Sequence, residues 1–593
     1  MSNIRYKIKK LHENRGVTDA HQINVVFSEE SRVIVEAPAG YGKTKTLISK
    51  IAYLICDKYI KNSKKILILT FSVNAAYKIK KDILINLPII LEEYISSKDQ
   101  LSNHIFSTNY HGFCRSILNK YGYLMEDTLK DLNSFETVDF DENSSEKKIN
   151  LNRAEKTFLI DFKNNLKMSN REYIEKNILK YKSIIIEKFI PVEKITFDSI
   201  IIFVLCLFYE YPEILKFYQL YYPILIVDEY QDTNILNFML VETLITPETR
   251  IILFGDPLQR IYGFLGAVPN IMSISKEKFN MELFKLKTNH RFENENMLLL
   301  DKNLRKHAKN LNNPSITEDA IIKCIASDDQ QSEAKNILNK IKYLSGEGEK
   351  IAVLCRLRSE NLNLLKRELR NINYFDAVFS DEDPDYIKFH NICKRIFNQI
   401  VGDELNIFNM RIINRFVKDV KVEFKIEENI IFDSLIYLLE VFLESIREEY
   451  NFLTQKQQIM IIKDSLERKS LKQSLENVKH DVILTTIHGA KGLEWDYVIM
   501  PDLEKYSFPL YYTCKECGFN QTCSINWNET SEDFKEKYLE ELNVFYVGAT
   551  RSRKETIFSF SRRNAPYNSL SGANCFLRLE GIKLIKDSIE DNK

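Results

Sequence analysis

What this chain of 593 residues lacks sets its first limits. It carries no excess of either charge, since Lys plus Arg and Asp plus Glu each number 83. Contact with a polyanion therefore has to come from local basic patches rather than from a global positive field. It has no apolar run long enough to span a bilayer, the longest being "IIIFVLCLFY" from Ile200 to Tyr209. The N-terminal stretch "MSNIRYKIKKLHENRG" lacks the apolar core of a signal peptide. Together these absences predict a cytoplasmic protein with no membrane partner. Ten cysteines in so long a chain argue against a disulfide framework. No internal repeat and no low-complexity linker interrupts the sequence, and 44% apolar with 28% charged residues is ordinary globular composition. The length predicts three or four domains with well-buried cores.

What is present is an alternation of apolar β-type runs with helical patterns, which favours parallel sheets flanked by helices. Strand candidates are "RVIVEA" (Arg32 to Ala37), "KILILTF" (Lys65 to Phe71), "PILIVDE" (Pro223 to Glu229), "RIILFGD" (Arg250 to Asp256), "KIAVLCR" (Lys350 to Arg356), "DVILTTIH" (Asp481 to His488) and "DYVIMPD" (Asp496 to Asp502). Four lie in the first half and three in the second, so the expected fold class is α/β with two parallel-sheet domains. Two charged, mainly helical stretches, residues 116–196 and 401–477, read as insertions into them.

The chemistry begins at "EAPAGYGKTKT", Glu36 to Thr46, between a strand and a helical pattern. A glycine-rich turn lets successive backbone N–H groups face phosphate oxygens while the following helix adds its positive end. Ala37, Pro38, Ala39, Gly40, Tyr41, Gly42, Lys43, Thr44 and Lys45 would form that cradle, with Lys43 on the β- and γ-phosphates and the Thr44 hydroxyl on Mg²⁺. The strict pattern wants Gly where Ala37 stands; the competing reading is a plain βα turn with a surface lysine. "ILIVDEYQDTN", Ile224 to Asn234, favours the cradle. Its apolar run ends on Asp228 and Glu229, expected on opposite sides of the strand, one to hold Mg²⁺ and the other to deprotonate the attacking water. An acid capping the next helix would explain Asp228 and leave Glu229 without a purpose.

"DEYQDTN" resembles the hydrolysis motif of superfamily 1A DNA helicases of the UvrD, Rep and PcrA type, and further motifs of that family follow in order. They are "GVTDAHQINVV", "LTFSVNAAYKIK", "TNYHGFCRSIL", "GDPLQRIYGFLGA", "LKTNHRF", "TTIHGAKGLEWDYV" and "EELNVFYVGATRSR", the matches spanning Gln22 to Arg553. The resemblance implies two RecA-like domains. Residues 1–115 and 197–284 form the first around insertion 116–196, and residues 285–400 and 478–593 the second around insertion 401–477. It implies ATP and Mg²⁺ as cofactors, Gln22 as adenine reader, and Gln259 as the link between the γ-phosphate and the DNA site. It implies arginine fingers at Arg291 and Arg551, a ribose contact at Glu494, and Mg²⁺ held by Thr44 and Asp228. It places Phe71, His111, Tyr262, Phe264, Arg356 and His488 along single-stranded DNA, where aromatic faces stack on bases without reading sequence.

The sequence also departs from that pattern. His290 stands where a Tyr usually stacks on adenine, Phe264 and Leu265 replace a Trp-Arg pair, and Leu542 and Asn543 replace an Arg pair. These changes bear on base selectivity, strand affinity and unwinding force rather than on hydrolysis. Arg291 and His488 are 197 positions apart, so the second insertion is reduced, and the 42 residues after Arg551 leave no room for a fused nuclease. "TCKECGFNQTC" brings Cys514, Cys517 and Cys523 together in the second domain, either a small Zn²⁺ knuckle or three unrelated loop cysteines. The expected protein is an ATP-driven motor running 3′ to 5′ on single-stranded DNA and at duplex junctions, in DNA repair or anti-phage defence. The alternatives are a DNA-stimulated ATPase switch that activates a separate nuclease partner, as the likeness to Gabija-type anti-phage helicase subunits implies, and an RNA-directed enzyme.

Overall fold

Runs of Ile, Leu and Val without polar alternation become strands covered on both faces, which is the environment of a parallel sheet between helical layers. A computed structural model describes the chain apart from residues 1, 15–16, 57–62, 92–103, 133–134, 139–148, 357–359, 380–382, 404–408, 425–429, 452, 518–522, 565–568, 571 and 588–593. It separates into two units, Met1–His290 and Arg291–Lys593. No described helix is long and apolar enough to cross a membrane.

The first unit holds β1 (Arg32–Glu36), β2 (Ile66–Thr70), β3 (Ile105–Asn109), β4 (Ile224–Val227), β5 (Arg250–Gly255) and β6 (Glu282–Lys285). They form one sheet in the order β6-β1-β5-β4-β2-β3, parallel throughout. Alternation sorts each strand between two cores. Ile34, Leu67, Leu225 and Leu253 enter one layer, whereas Val33, Ile66, Ile226 and Ile252 enter the other with Leu47 and Ile51. Two helices bear on function: α1 (Ala20–Phe27), capped by the Asp19 carboxylate on the His21 and Gln22 N–H groups, and α2 (Lys43–Cys56).

The second unit holds β7 (Ala320–Ser327), β8 (Ile351–Cys355), β9 (Phe375–Ala377), β10 (Val482–Thr486), β11 (Trp495–Met500), β12 (Ser552–Ser561) and β13 (Ile582–Lys586). Its order is β9-β10-β8-β11-β12-β7-β13, again all parallel. Helix α3 (Glu532–Ala549) ends one residue before Thr550 and Arg551.

All seven expected strands are present, and six more complete the two sheets. The missed strands include the sheet edges, such as the half-exposed Glu282–Lys285 and Ile582–Lys586. An edge strand or a polar one has no continuous apolar run to announce it. Residues 116–196 are mainly helical, as expected, but also carry a short parallel pair, Glu136–Val138 with Lys194–Thr196. The 401–477 stretch holds the helices Met410–Phe424, Ile430–Glu448 and Gln455–Glu467.

Candidate nucleotide site and strand track

The loop between β1 and α2 turns at Gly40 (φ 82°) and Gly42 (φ 78°), left-handed backbone that glycine adopts at little cost. A Cβ on Gly42 would stand 2.2 Å from the Gln22 amide nitrogen. Ala37 does not disturb this turn. Its methyl joins the apolar core and its N–H bonds the Gly255 carbonyl at 2.9 Å, so the missing first glycine falls where the chain is still strand-like. The loop carbonyls are held by other groups. Ala39 O accepts from Asn289 Nδ2 at 3.3 Å, Gly40 O from the His290 N–H at 2.7 Å, and Tyr41 O from Gln22 Nε2 at 3.0 Å. Lys43, Thr44 and Lys45 open α2, with Thr44 and Lys45 exposed.

The expectation that Asp228 and Glu229 point to opposite sides of a strand is corrected. Strand β4 stops at Val227, and Glu229 adopts left-handed backbone at φ 53°, ψ 42°. Period-two alternation ends with the strand, so both carboxylates reach Lys43: its Nζ lies 3.2 Å from Asp228 Oδ1 and bonds Glu229 Oε1. Burial alone would lower the Lys43 pKa, but the two acids outweigh it and raise it. Burial pushes the Asp228 carboxyl up, with Lys43 opposing and Glu229 adding to the rise. An oxygen-rich pair beside a lysine and a threonine hydroxyl suits a hard cation such as Mg²⁺ when phosphates arrive.

Gln231 extends the site, a residue that sequence reasoning quoted within its motif and gave no role. Its Nε2 donates to Glu229 Oε2 at 2.5 Å and its Oε1 accepts the Asp256 N–H at 3.0 Å. Asp256 Oδ2 in turn accepts from Gln259 Nε2 at 2.7 Å. A Cβ on Gly255 would come within 2.8 Å of that Gln231 oxygen, so the close approach depends on glycine. Three residues beyond Gln259, Tyr262 stacks on Phe71, with ring centroids 5.4 Å apart and planes 14° from parallel. Phe264 tilts against Tyr262 and is 59% exposed, beside an equally open Leu265. His111 meets Phe197 edge-on at 5.7 Å.

The proposed adenine reader is held by residues the sequence did not single out. Gln22 Oε1 accepts from His12 Nδ1, whose Nε2 lies 2.8 Å from Ser49 Oγ. A neutral imidazole with its proton on Nδ1 satisfies both contacts, and burial, opposed by the Gln22 bond, lowers the His12 pKa. His290 Nε2 stands 3.1 Å from both Asp19 Oδ2 and Gln22 Nε2.

In the second unit, Glu494 bridges two arginines. Its Oε2 accepts from Arg291 Nε at 2.8 Å and its Oε1 from Arg553 Nη2 at 2.6 Å. Burial would raise the Glu494 pKa, but Arg291 and Arg553 reverse this and lower it. Arg553 was not anticipated, although it closes the last quoted motif. Arg551 is 1% exposed, with Nε on the Val547 carbonyl at 2.8 Å. Arg356 forms a two-pronged pair with Glu541, at 3.0 and 3.4 Å, over the Phe508 ring. His488 lies half-buried just past β10. Leu542 and Asn543, which replace the family's arginines, are buried in α3.

The model of the UvrD/REP helicase N-terminal domain matches residues 18–280, and that of the UvrD-like helicase C-terminal domain matches residues 409–563. The chain belongs to the UvrD/Rep helicase family. The ATP-dependent DNA helicase PcrA of Bacillus subtilis is 23% identical, over 93% of this chain and 83% of its own length. A probable DNA helicase II homolog of Mycoplasma pneumoniae is 24% identical, over 93% of this chain and 84% of its own length. One from Rickettsia felis is 23% identical, over 90% and 91% respectively. As a UvrD/Rep helicase, the chain is a nucleotide-driven enzyme built on the two parallel sheets described above.

Proposed function

We propose that the protein is an ATP-dependent DNA helicase that moves 3′ to 5′ along single-stranded DNA, in DNA repair or anti-phage defence. The observation that carries the coupling is one short segment. Asp256 to Phe264 holds Gln259, tied through Asp256 and Gln231 to the acid beside Lys43, and Tyr262, stacked on Phe71. A change at the γ-phosphate is thus mechanically close to the rings that would stack on bases.

In this reading ATP brings its phosphates to the loop N–H groups and to Lys43, which gives up its carboxylates. Asp228 and Thr44 would hold Mg²⁺, which would supply positive charge to the phosphates, and Glu229 would accept the proton of the attacking water. Arg291 and Arg551 contribute positive charge to the transferring phosphoryl group, a role that requires Arg551 to leave the Val547 carbonyl. His290 in place of a stacking Tyr predicts weak discrimination among purine bases.

A second reading, a DNA-stimulated ATPase switch that activates a separate nuclease, draws support from the short interval between Arg291 and His488 and from Phe264 and Leu265 in place of Trp-Arg. One experiment separates these. ATP hydrolysis is measured without polymer, with single-stranded DNA and with RNA, alongside strand displacement on 3′- and 5′-tailed duplexes, with Lys43→Ala and Glu229→Gln as inactive controls. Stimulation by DNA with displacement from the 3′ tail is expected. Stimulation without displacement leaves the switch, and stimulation by RNA alone overturns the DNA reading.

A further inference from the structure

We infer that Cys514, Cys517, Cys523 and Cys575 together bind one structural Zn²⁺ ion in the second unit. Three of these thiols lie between β11 and α3, Cys514 in the short helix Tyr511–Glu516 and Cys517 and Cys523 after it, and the fourth comes from a separate stretch beyond β12. All four line a single cavity of about 20 Å³, walled also by Lys505 and Tyr538. That is space for one water-sized occupant, a fit to a single ion rather than to a multi-iron cluster.

The chain is stitched so that the distant cysteine arrives there. Ala573 bridges Glu504, the Asn574 N–H bonds the Leu503 carbonyl at 3.1 Å, and the Asn574 amide donates to the Phe508 carbonyl. These bonds lash Cys575 to the segment that leads into Cys514. No disulfide is formed by these four cysteines in the structure.

The chemistry of the donor set is that of zinc. Four thiolates, two of them from a C-x₂-C turn, make a closed tetrahedral site, and soft sulfur ligands select against Mg²⁺ and Ca²⁺. The surroundings suit the resulting negative charge. Lys505 supplies a cation at the wall. The Tyr538 hydroxyl, buried beside the cavity, stands against Cys575 and is a ready donor to its thiolate. The sulfurs are more widely spaced than the Glu333, Asp502 and Glu504 carboxylates, whose oxygens lie within 4.8 Å of one another. Zinc capture, at about 2.3 Å per Zn–S bond, draws them in. In the acidic trio burial raises the Glu333 and Glu504 carboxyls, and both accept from serine hydroxyls.

The ion would fix the loop that supports Arg356. Phe508, beneath the Arg356 guanidinium, packs edge-on against Phe576, the neighbour of Cys575. The site is independent of ATP hydrolysis and is tested by metal content. The purified full-length protein is analysed by plasma mass spectrometry, and thiol-bound zinc is titrated with a mercurial and a colorimetric chelator. One zinc per chain is expected, lost in Cys575→Ser and in Cys517→Ser and retained in Cys56→Ser, which lies in the first unit. Should the serine variants fail to fold, wild-type protein stripped by mercurial and chelator and then reduced must regain its melting temperature with Zn²⁺ and not with Mg²⁺. Substoichiometric zinc after growth in zinc-supplemented medium, iron in its place, full zinc in Cys575→Ser, or an unchanged melting temperature on stripping overturns the assignment.

Discussion

Replacing Lys43 by Ala tests the electrostatics of the nucleotide-free site more sharply than an activity assay does. The lysine ammonium is the shared counter-ion of Asp228, at 3.2 Å, and of Glu229. Their side chains retain only 16%, 10% and 27% of full exposure. Removing one partner of a buried ion pair costs about 3–5 kcal/mol. Partial exposure of Lys43 and Glu229 admits solvent screening, which brings the expected loss to about 2 kcal/mol. For a unit of 290 residues that lowers the melting temperature by about 3 °C. The sign of the pH dependence is fixed. Without Lys43 the Asp228 carboxyl, already raised by burial, rises further, so its folded-state pKa exceeds its unfolded one. Such an acid disfavours the folded state increasingly as pH climbs through the unfolded value towards the folded one. The deficit should therefore be small near pH 4 and full at pH 8, and adding Asp228→Asn should recover much of it. Differential scanning calorimetry of the three proteins across that range reads all of this. A Lys43→Ala protein that binds no ATP yet melts with the wild type at pH 8 would refute the account.

Three further outcomes are expected. Gln231→Ala, which frees Glu229 and Asp256 from each other, should lower kcat about 10- to 100-fold with little change in ATP affinity; steady-state hydrolysis beside equilibrium binding of a fluorescent nucleotide separates the two. Tyr262→Ala should weaken single-stranded DNA binding about 5- to 150-fold, the worth of one base stack at about 1–3 kcal/mol, as read by anisotropy at fixed salt. Glu333→Gln should gain in melting temperature over the wild type between pH 5 and pH 8. Burial, with Glu504 and Asp502 close by, keeps the Glu333 pKa well above that of the unfolded chain, and the amide cannot ionise.

The strands that organise each sheet were legible because central parallel strands must be apolar on both faces, as Ile224–Val227 is at every position. The motifs were legible because phosphate binding dictates backbone: Gly40 and Gly42 sit at the positive-φ positions. What stayed hidden depends on distance in sequence. His12 reaches Gln22, Arg553 reaches Glu494 across 59 positions, and Cys575 joins a cysteine loop through Asn574, and no periodicity encodes such contacts. The misjudged orientation of Asp228 and Glu229 has a different origin. Period two was extended two steps beyond the strand, to a residue with left-handed backbone that only the tertiary fold imposes.

That left-handed Glu229 also bears on how the site works. Non-glycine residues in this conformation cost about 1–3 kcal/mol and persist only where their surroundings over-determine them. Here the determinants are Lys43 on one carboxylate oxygen and Gln231 on the other. Gln231 bonds Glu229 through the oxygen that Lys43 does not use, and through Asp256 it is bonded to the turn carrying Gln259. The acid proposed to activate water and the turn that presents Tyr262 thus share one hydrogen-bonded line.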